Sequence, residues 1–256
     1  MGIFRFRHFS VENVESAMKV NTDGVLLGAL MTVRPSDRTS LDIGTGTGTI
    51  ALMAAQRLSG LNGRIQDVPD MSPDSDAGTA RIVAIDIDEA SALEAGRNFA
   101  ASPWPGMLEA VHSSLADFRT SGAYTCFDHI FSNPPYYDLS LGAPDLRRNA
   151  ARHTESLSYR DLIACAADIM ADDGILSVIL PADSELWLMR HARMSGLYPF
   201  RIVRIRTTER KKPSRIVVEF YRKRQDTPSD SLLTIHDGPS YTQEYMDLTR
   251  DFYEKF

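Results

Sequence analysis

The chain has 256 residues, 43% of them apolar, and a formal net charge of −6, which suits one α/β domain of the larger kind with a sizeable core. No apolar run approaches the ~20 residues that span a bilayer, and the first seven residues, with Arg5 and Arg7, carry no apolar signal stretch, so a soluble, cytoplasmic protein is expected rather than a membrane or exported one. Cys126 and Cys165, the only cysteines, stand among apolar residues and read as buried free thiols, and nothing in the sequence implies a metal.

Asn21, Thr22 and Asp23 precede Gly24 and the apolar run 25–30, a pattern in which a polar residue caps a helix from 24 to about 31. A strand at 39–43 then runs into Asp42-Ile43-Gly44-Thr45-Gly46-Thr47-Gly48, followed by a helix at 48–58. Glycines in such a loop let the backbone approach a ligand, and the helix N-terminus offers free N–H groups and a partial positive charge. In isolation the loop fits a dinucleotide site equally well. The strand at 81–86 ends in Asp86, placed to accept hydrogen bonds from ribose hydroxyls. Asp86 lies 38 residues beyond Gly48 instead of the usual ~20. The excess falls in 60–79, an aperiodic stretch bearing Gly, Asp, Ser and Pro that reads as an inserted surface loop. A helix at 89–100 and a strand at 108–112 follow, then Ser114 and Leu115.

The strand at 127–132 ends directly in Asn133-Pro134-Pro135-Tyr136-Tyr137. Two prolines fix φ and remove two donors, which stiffens a loop suited to holding a flat amide or amino group in one orientation. The nitrogen of such a group is a poor nucleophile because its lone pair is delocalised. The Asn133 side-chain oxygen and the Pro134 carbonyl supply two acceptors for its N–H bonds. Tyr136 adds a face on which a planar base stacks, worth roughly 1–3 kcal/mol. After the irregular run 138–150 come helices at 158–171 and 183–195, a strand at 174–180 between them, and a strand pair at 201–208 and 216–222. Alternation of this kind predicts an α/β fold with a doubly wound, mostly parallel sheet of seven strands, closed by an antiparallel C-terminal pair. Ligands gather outside the carboxyl ends of such strands, which places 44–48, Asp86 and 133–136 on one rim.

Asp-Ile-Gly-Thr-Gly-Thr-Gly at 42–48 together with Asn-Pro-Pro-Tyr at 133–136 resembles the class I S-adenosylmethionine-dependent methyltransferases that modify amino nitrogens, whose fold is Rossmann-like. More narrowly, the chain resembles the bacterial tRNA(Val) adenine-37 N6-methyltransferases. That narrower likeness also rests on 17–29, on Ala151-Arg152-His153 with Leu157-Ser158, and on Tyr241-Thr242-Gln243-Glu244-Tyr245 with Asp251-Phe252-Tyr253. The resemblance implies a single methyltransferase domain, with 1–38 as a segment over the cofactor, 39–222 as the core and 223–256 as a tail. It implies S-adenosylmethionine as cofactor, held by Lys19, Thr22, Asp42, Gly44, Gly46, Gly48, Asp86, Ile87, Ser114, Leu115 and Asn133, with Asn133, Pro134, Pro135 and Tyr136 at the methylated nitrogen. Two departures stand out. The 60–79 insertion is longer than the family needs, and Ser114 occupies the place where an Asp often contacts the cofactor adenine, with Asp117 three residues on. His153 and Arg152 follow the active loop and read either as part of it or as an ion pair with Glu155.

A net charge of −6 does not by itself suggest a nucleic-acid partner, but its distribution does. Residues 190–224 hold 12 Lys or Arg against two acids, a net of +10, leaving −16 on the remainder. One basic face is the footprint expected of phosphate binding. Its tip, with Arg210, Lys211, Lys212 and Arg215, reads as a hairpin loop presented to tRNA. A protein glutamine N5-methyltransferase uses the same Asn-Pro-Pro-Tyr logic without needing that hairpin, a ribosomal RNA guanine-N2 methyltransferase shares both motifs, and a non-catalytic RNA-binding protein is the alternative of a different class.

Overall fold

The structure, a computed structural model, describes residues 2–61, 80–123, 126–135 and 158–255. Tyr136, Arg152, His153 and most of the 60–79 insertion lie outside the described residues. Two short strands, β1 (Ile3–Arg5) and β2 (Ser10–Glu12), pair antiparallel ahead of the core. There follow α1 (Thr22–Leu30), β3 (Thr39–Ile43), α2 (Thr49–Leu61), β4 (Arg81–Asp86), α3 (Glu89–Ala100), β5 (Leu108–His112), α4 (Leu115–Ser121) and β6 (Phe127–Ser132). The second half comprises α5 (Tyr159–Ile169), β7 (Met170–Pro181), α6 (Glu185–Met194), β8 (Tyr198–Thr208), β9 (Arg215–Tyr221), β10 (Ser229–Asp237), β11 (Ser240–Tyr241) and α7 (Gln243–Thr249).

The main sheet has the order β11-β10-β8-β9-β7-β6-β3-β4-β5. Strands β5, β4, β3, β6 and β7 are mutually parallel, whereas β9 runs antiparallel to both β7 and β8. The expected seven strands are all present. Among the described residues two more extend the edge, β10 parallel to β8 and β11 antiparallel to β10. The sheet is buried on both faces, so its inner strands are apolar almost throughout, as in the Ile175–Leu180 part of β7. Alternation along each strand divides these residues between two cores. Ile82, Ala84, Phe131, Ile179 and Val217 face α1, α2, α3 and α7; Val83, Ile85, Ile130, Val178 and Ile216 face α5 and α6.

Helix α1 starts two residues earlier than the expected start at Gly24, because the Asn21 side chain accepts from the Gly24 N–H at 2.8 Å and caps it. Cys165 is buried as expected, but Cys126 is exposed at φ +62°. It occupies the left-handed turn that precedes β6 instead of the strand itself, which removes it from the core.

Candidate active site

The first polar residues of the site are built by the β3–α2 turn. The Gly44 and Thr45 N–H groups both donate to the Ile85 carbonyl, at 2.9 and 3.0 Å, which ties the loop to the end of β4. Gly44, Gly46 and Gly48 have φ of +74°, +56° and +80°, a region nearly closed to side chains. Each glycine is needed for a different reason. An added Cβ at Gly44 would meet nothing within 4 Å, so the backbone there is open to a ligand. At Gly46 it would lie 3.2 Å from the Met18 carbonyl, and at Gly48 only 2.4 Å from the Phe99 ring. Gly48→Ala should therefore lower stability by about 2–4 kcal/mol through strain and overpacking, read as a shifted denaturant midpoint with unchanged slope.

Asp86 braces this loop. One of its carboxylate oxygens accepts from Gly46 N–H at 2.8 Å and the other from Asp88 N–H at 3.0 Å. Burial raises its pKa, and those two N–H donors oppose the rise. Asp42, fully buried one strand over, accepts from the Thr45 hydroxyl at 2.7 Å through Oδ2. Burial pushes Asp42 up to about 7, with the nearby Asp86 charge adding to the rise and Thr45 opposing it. The open backbone at Gly44 and the Asp86 carboxylate beside it, both lining one cavity, fit a ligand that brings hydroxyl or cationic groups to this wall.

A strap formed by residues 12–18 closes over the loop. The Val14, Glu15 and Ser16 N–H groups all donate to the Glu94 carboxylate on α3, at 2.6, 2.8 and 2.8 Å. Asn98, one turn on, accepts from Glu12 N–H at 2.6 Å and donates to the Glu12 and Thr47 carbonyls. The strap is thus hydrogen-bonded to the same helix that packs on Gly48.

These elements enclose a cavity of about 410 Å³, within the range of small-molecule sites. Gly44, Gly46, Asp86, Ile87, Ser114, Leu115, Asn133 and Pro135 all line it, so residues up to 91 positions apart meet on the rim at the carboxyl ends of β3, β4, β5 and β6. Asn133 is 4% exposed, and its Nδ2 points at the Met18 sulfur at 3.6 Å. Ser132 anchors the strand end by donating to the Ile43 carbonyl at 2.7 Å. Pro134 is buried beside it, and Asp42 and Gly48 stand behind the wall. Ser114 also caps α4, accepting from Asp117 N–H and donating to the Asp117 carboxylate, so both candidates for the adenine contact belong to one cap. Two expected residues are elsewhere. The Lys19 ammonium donates to the Val14 carbonyl and lies by Glu94, and Thr22 lines a different cavity. The strap instead brings Ala17 and Met18 to the pocket, and Ser91, Arg119, Ser158, Asp161 and Cys165 are among the other residues that line it.

No family model matches the chain. Among solved structures, a predicted O-methyltransferase from Agrobacterium tumefaciens matches over 90% of this chain and 96% of its own at a TM-score of 0.64 and 20% identity, a likeness of fold. A T. thermophilus 16S rRNA N2 methyltransferase, solved with AdoMet and guanosine, matches over 86% of this chain and 50% of its own at 0.54 and 18% identity. Sequence relatives are much nearer. The tRNA1(Val) (adenine(37)-N6)-methyltransferase of Bacteroides fragilis is 37% identical over 252 residues, 98% of each chain, and that of Bacteroides thetaiotaomicron 38% identical over 250 residues, 98% of this chain and 96% of its own. The chain belongs to the tRNA1(Val) (adenine(37)-N6)-methyltransferase family.

The basic region of this family member is less free than its charge count suggests. Arg201 donates to buried Glu219 and to the Leu30 carbonyl, and Arg204 forms ion pairs with Glu185 and Asp230. Arg206 donates to Thr234 and the Glu209 carbonyl, Arg215 to Asp23 at 2.8 Å, and Arg222 to carbonyls of 167, 170 and 171. Five of the 12 cations are thus engaged in bonds within the fold. Arg210, Lys211 and Lys212 remain exposed at the tip of the β8–β9 hairpin. Because β9 starts opposite the end of β7, that tip stands on the same rim as Asn133.

Proposed function

We propose that this chain transfers a methyl group from S-adenosylmethionine to the N6 amino group of adenine-37 in tRNA1(Val), as one methyltransferase domain working in the cytoplasm. The observation that carries the reading is the placement of Asn133 and Pro135 in the same cavity as Gly44, Gly46 and Asp86, in a chain of this family. When bound, the cofactor supplies an electrophilic methyl group on a sulfonium. The chain's residues supply alignment. Asp86 would hold the ribose hydroxyls, the open backbone at Gly44 would take the amino-acid end, and Ser114 and Leu115 would hold the cofactor's adenine. Residues 1–38 would act as the cover, with Ala17 and Met18 lining the cavity and Lys19 bracing the segment through the Val14 carbonyl.

The Asn133 Oδ1 and the Pro134 carbonyl accept the two N6 hydrogens, drawing the lone pair out of conjugation and toward the methyl group. Tyr136 is assigned the stacking face. No base is required at the outset, since the nitrogen becomes acidic only after it has been methylated. Fixed near-attack geometry of this kind can supply ~7–11 kcal/mol of the barrier, and an unpaired loop adenine is accessible to such a site.

Incubating the protein with methyl-labelled S-adenosylmethionine and unmodified tRNA, with ribosomal RNA and protein extract in parallel, tests the reading by nucleoside mass spectrometry. N6-methyladenosine in tRNA is expected. Label in ribosomal guanine or in protein glutamine would overturn the substrate. Replacing Arg210, Lys211 and Lys212 together by alanine should weaken tRNA binding at least tenfold and flatten the log–log salt dependence by about 2. Filter binding across a salt series checks this, and an unchanged slope would remove the tip from the RNA interface.

A further inference from the structure

The C-terminal strands close a second cavity, of about 290 Å³, which the reaction above does not use. Thr22 and Asp23 at the start of α1, Thr207 near the end of β8 and Arg215 at the start of β9 form one side. Arg215 Nε donates to Asp23 Oδ2 at 2.8 Å, so a donor and an acceptor stand side by side with no net charge. Tyrosines and a histidine form the other side. His236 and Tyr241 stack with ring centres 4.9 Å apart at 22°, and Tyr241 and Tyr245 stack at 4.9 Å and 26°. The Tyr245 and Tyr253 hydroxyls meet at 3.4 Å.

The column of rings is built by the local fold. His236 and Tyr241 are partners across the β10–β11 turn, whose Gly238 has φ +59°. Thr242 then caps α7 by accepting from Tyr245 N–H, which sets Tyr245 one turn beyond Tyr241. Tyr245 is buried, yet Tyr241 keeps 38% of its surface exposed. These are the tyrosines of 241–245 and 253 that contribute to the family likeness, and the catalytic reading leaves them without a role.

The position of the cavity gives it a ligand. Ser132, next to Asn133, is opposite Val178 on β7, and Pro181 on β7 is opposite Arg215 on β9. With adjacent strands ~4.8 Å apart and a rise of ~3.3 Å per residue, Arg215 lies two strands, about 10 Å, across from β6 and about 10 Å further out along the strand direction than Ser132, on the same rim. A neutral donor–acceptor pair facing aromatic edges disfavours a free anion, which Asp23 repels, and a free cation, which Arg215 repels. It suits a planar, uncharged group with donors and acceptors on one edge. We propose that this cavity receives an unpaired base flanking the methylated adenine, its polar edge read by Asp23 and Arg215, with its phosphates toward Arg210–Lys212. The proposal rests on the RNA reading above. Extruding one loop adenine leaves its neighbours to be held, and unpaired bases are where RNA sequence is read.

The test uses the full chain and a tRNA anticodon stem-loop carrying 2-aminopurine on either the 5′ or the 3′ side of the target adenine. Binding should change the probe's fluorescence at one of the two positions, and Tyr241→Ala or the cavity-filling Thr207→Phe should abolish that change. Both variants should raise KM for the unlabelled stem-loop about tenfold, with kcat at saturating RNA, S-adenosylmethionine affinity by calorimetry and melting temperature near wild type. Thr207→Phe leaves the ring column intact, so it decides the matter if Tyr241→Ala fails to fold. If the wild type methylates RNA and the folded Thr207→Phe variant keeps its fluorescence change and KM, the cavity proposal is overturned. If the wild type methylates no RNA at all, the functional reading fails first.

Discussion

Asn133→Ala should lower kcat for methyl transfer about 10³-fold while changing S-adenosylmethionine affinity little. The side chain is nearly buried at the end of β6, where Ser132 is tied to the Ile43 carbonyl and two prolines follow, so its amide cannot wander among rotamers. Removing one preorganised polar partner of a transition state costs about 10²–10³ in kcat. Here the partner also sets the direction of the attacking lone pair, which places the loss at the upper end. The cofactor walls are built by other strands. Gly44 is bonded to Ile85, and Asp86 holds Gly46, so neither depends on the Asn133 amide. Single-turnover transfer to tRNA, with calorimetry on the same variant, separates the two effects. Turnover retained within tenfold would remove Asn133 from its role, and a large loss of cofactor affinity would make it a binding residue instead.

The parts of this site that were legible in the sequence are those whose chemistry is local. A glycine loop between a strand and a helix, an acid at the next strand end and Asn-Pro-Pro after a third strand each need only a few consecutive residues. The parallel topology then brings them together without further specification. The cover was harder to read. Lys19 and Thr22 attract attention as polar residues beside a cap, but the pocket is closed by Ala17 and Met18, which follow a segment whose Val14, Glu15 and Ser16 N–H groups donate to Glu94, 78 residues beyond Ser16. Nothing in 12–18 announces a partner on α3. Charge counting failed in a related way. The cluster at 190–224 was legible, but its compensation by Asp23, Glu185 and Asp230 came from outside the window. The edge strand β10 escaped notice because only Leu233 along it is buried, which leaves little alternation to see. Such a strand is defined by pairing with β8 more than by its own pattern.

The strap gives the second large expected effect. Glu94→Ala should raise the dissociation constant for S-adenosylmethionine at least tenfold and cost about 2–4 kcal/mol of stability. Glu94 is fully buried, yet its carboxyl is held below the ordinary glutamate range: burial alone would raise it, but the N–H groups of Glu15, Val14 and Ser16, with the Lys19 charge, outweigh that rise. Removing the carboxylate strands three N–H donors, each hydrogen bond to a charged group being worth about 1.5–3 kcal/mol, with part of the loss returned as the freed strap reaches water. Ala17 and Met18 then lose their fixed place against Gly46 and Asn133, and the cofactor must order the segment as it binds. Because the folded pKa is depressed, this stabilisation is present above the ordinary glutamate pKa and is lost only as pH falls through the lower folded value, so the strap is fully latched at neutral pH. Glu94→Gln, which keeps an acceptor oxygen without the charge, should fall between wild type and alanine in both measurements. Calorimetry and thermal melts of the two variants check the assignment. A glutamine variant as weak as alanine would mean that the charge matters more than the hydrogen bonds, and wild-type cofactor affinity in both would show that the strap does not form the binding wall.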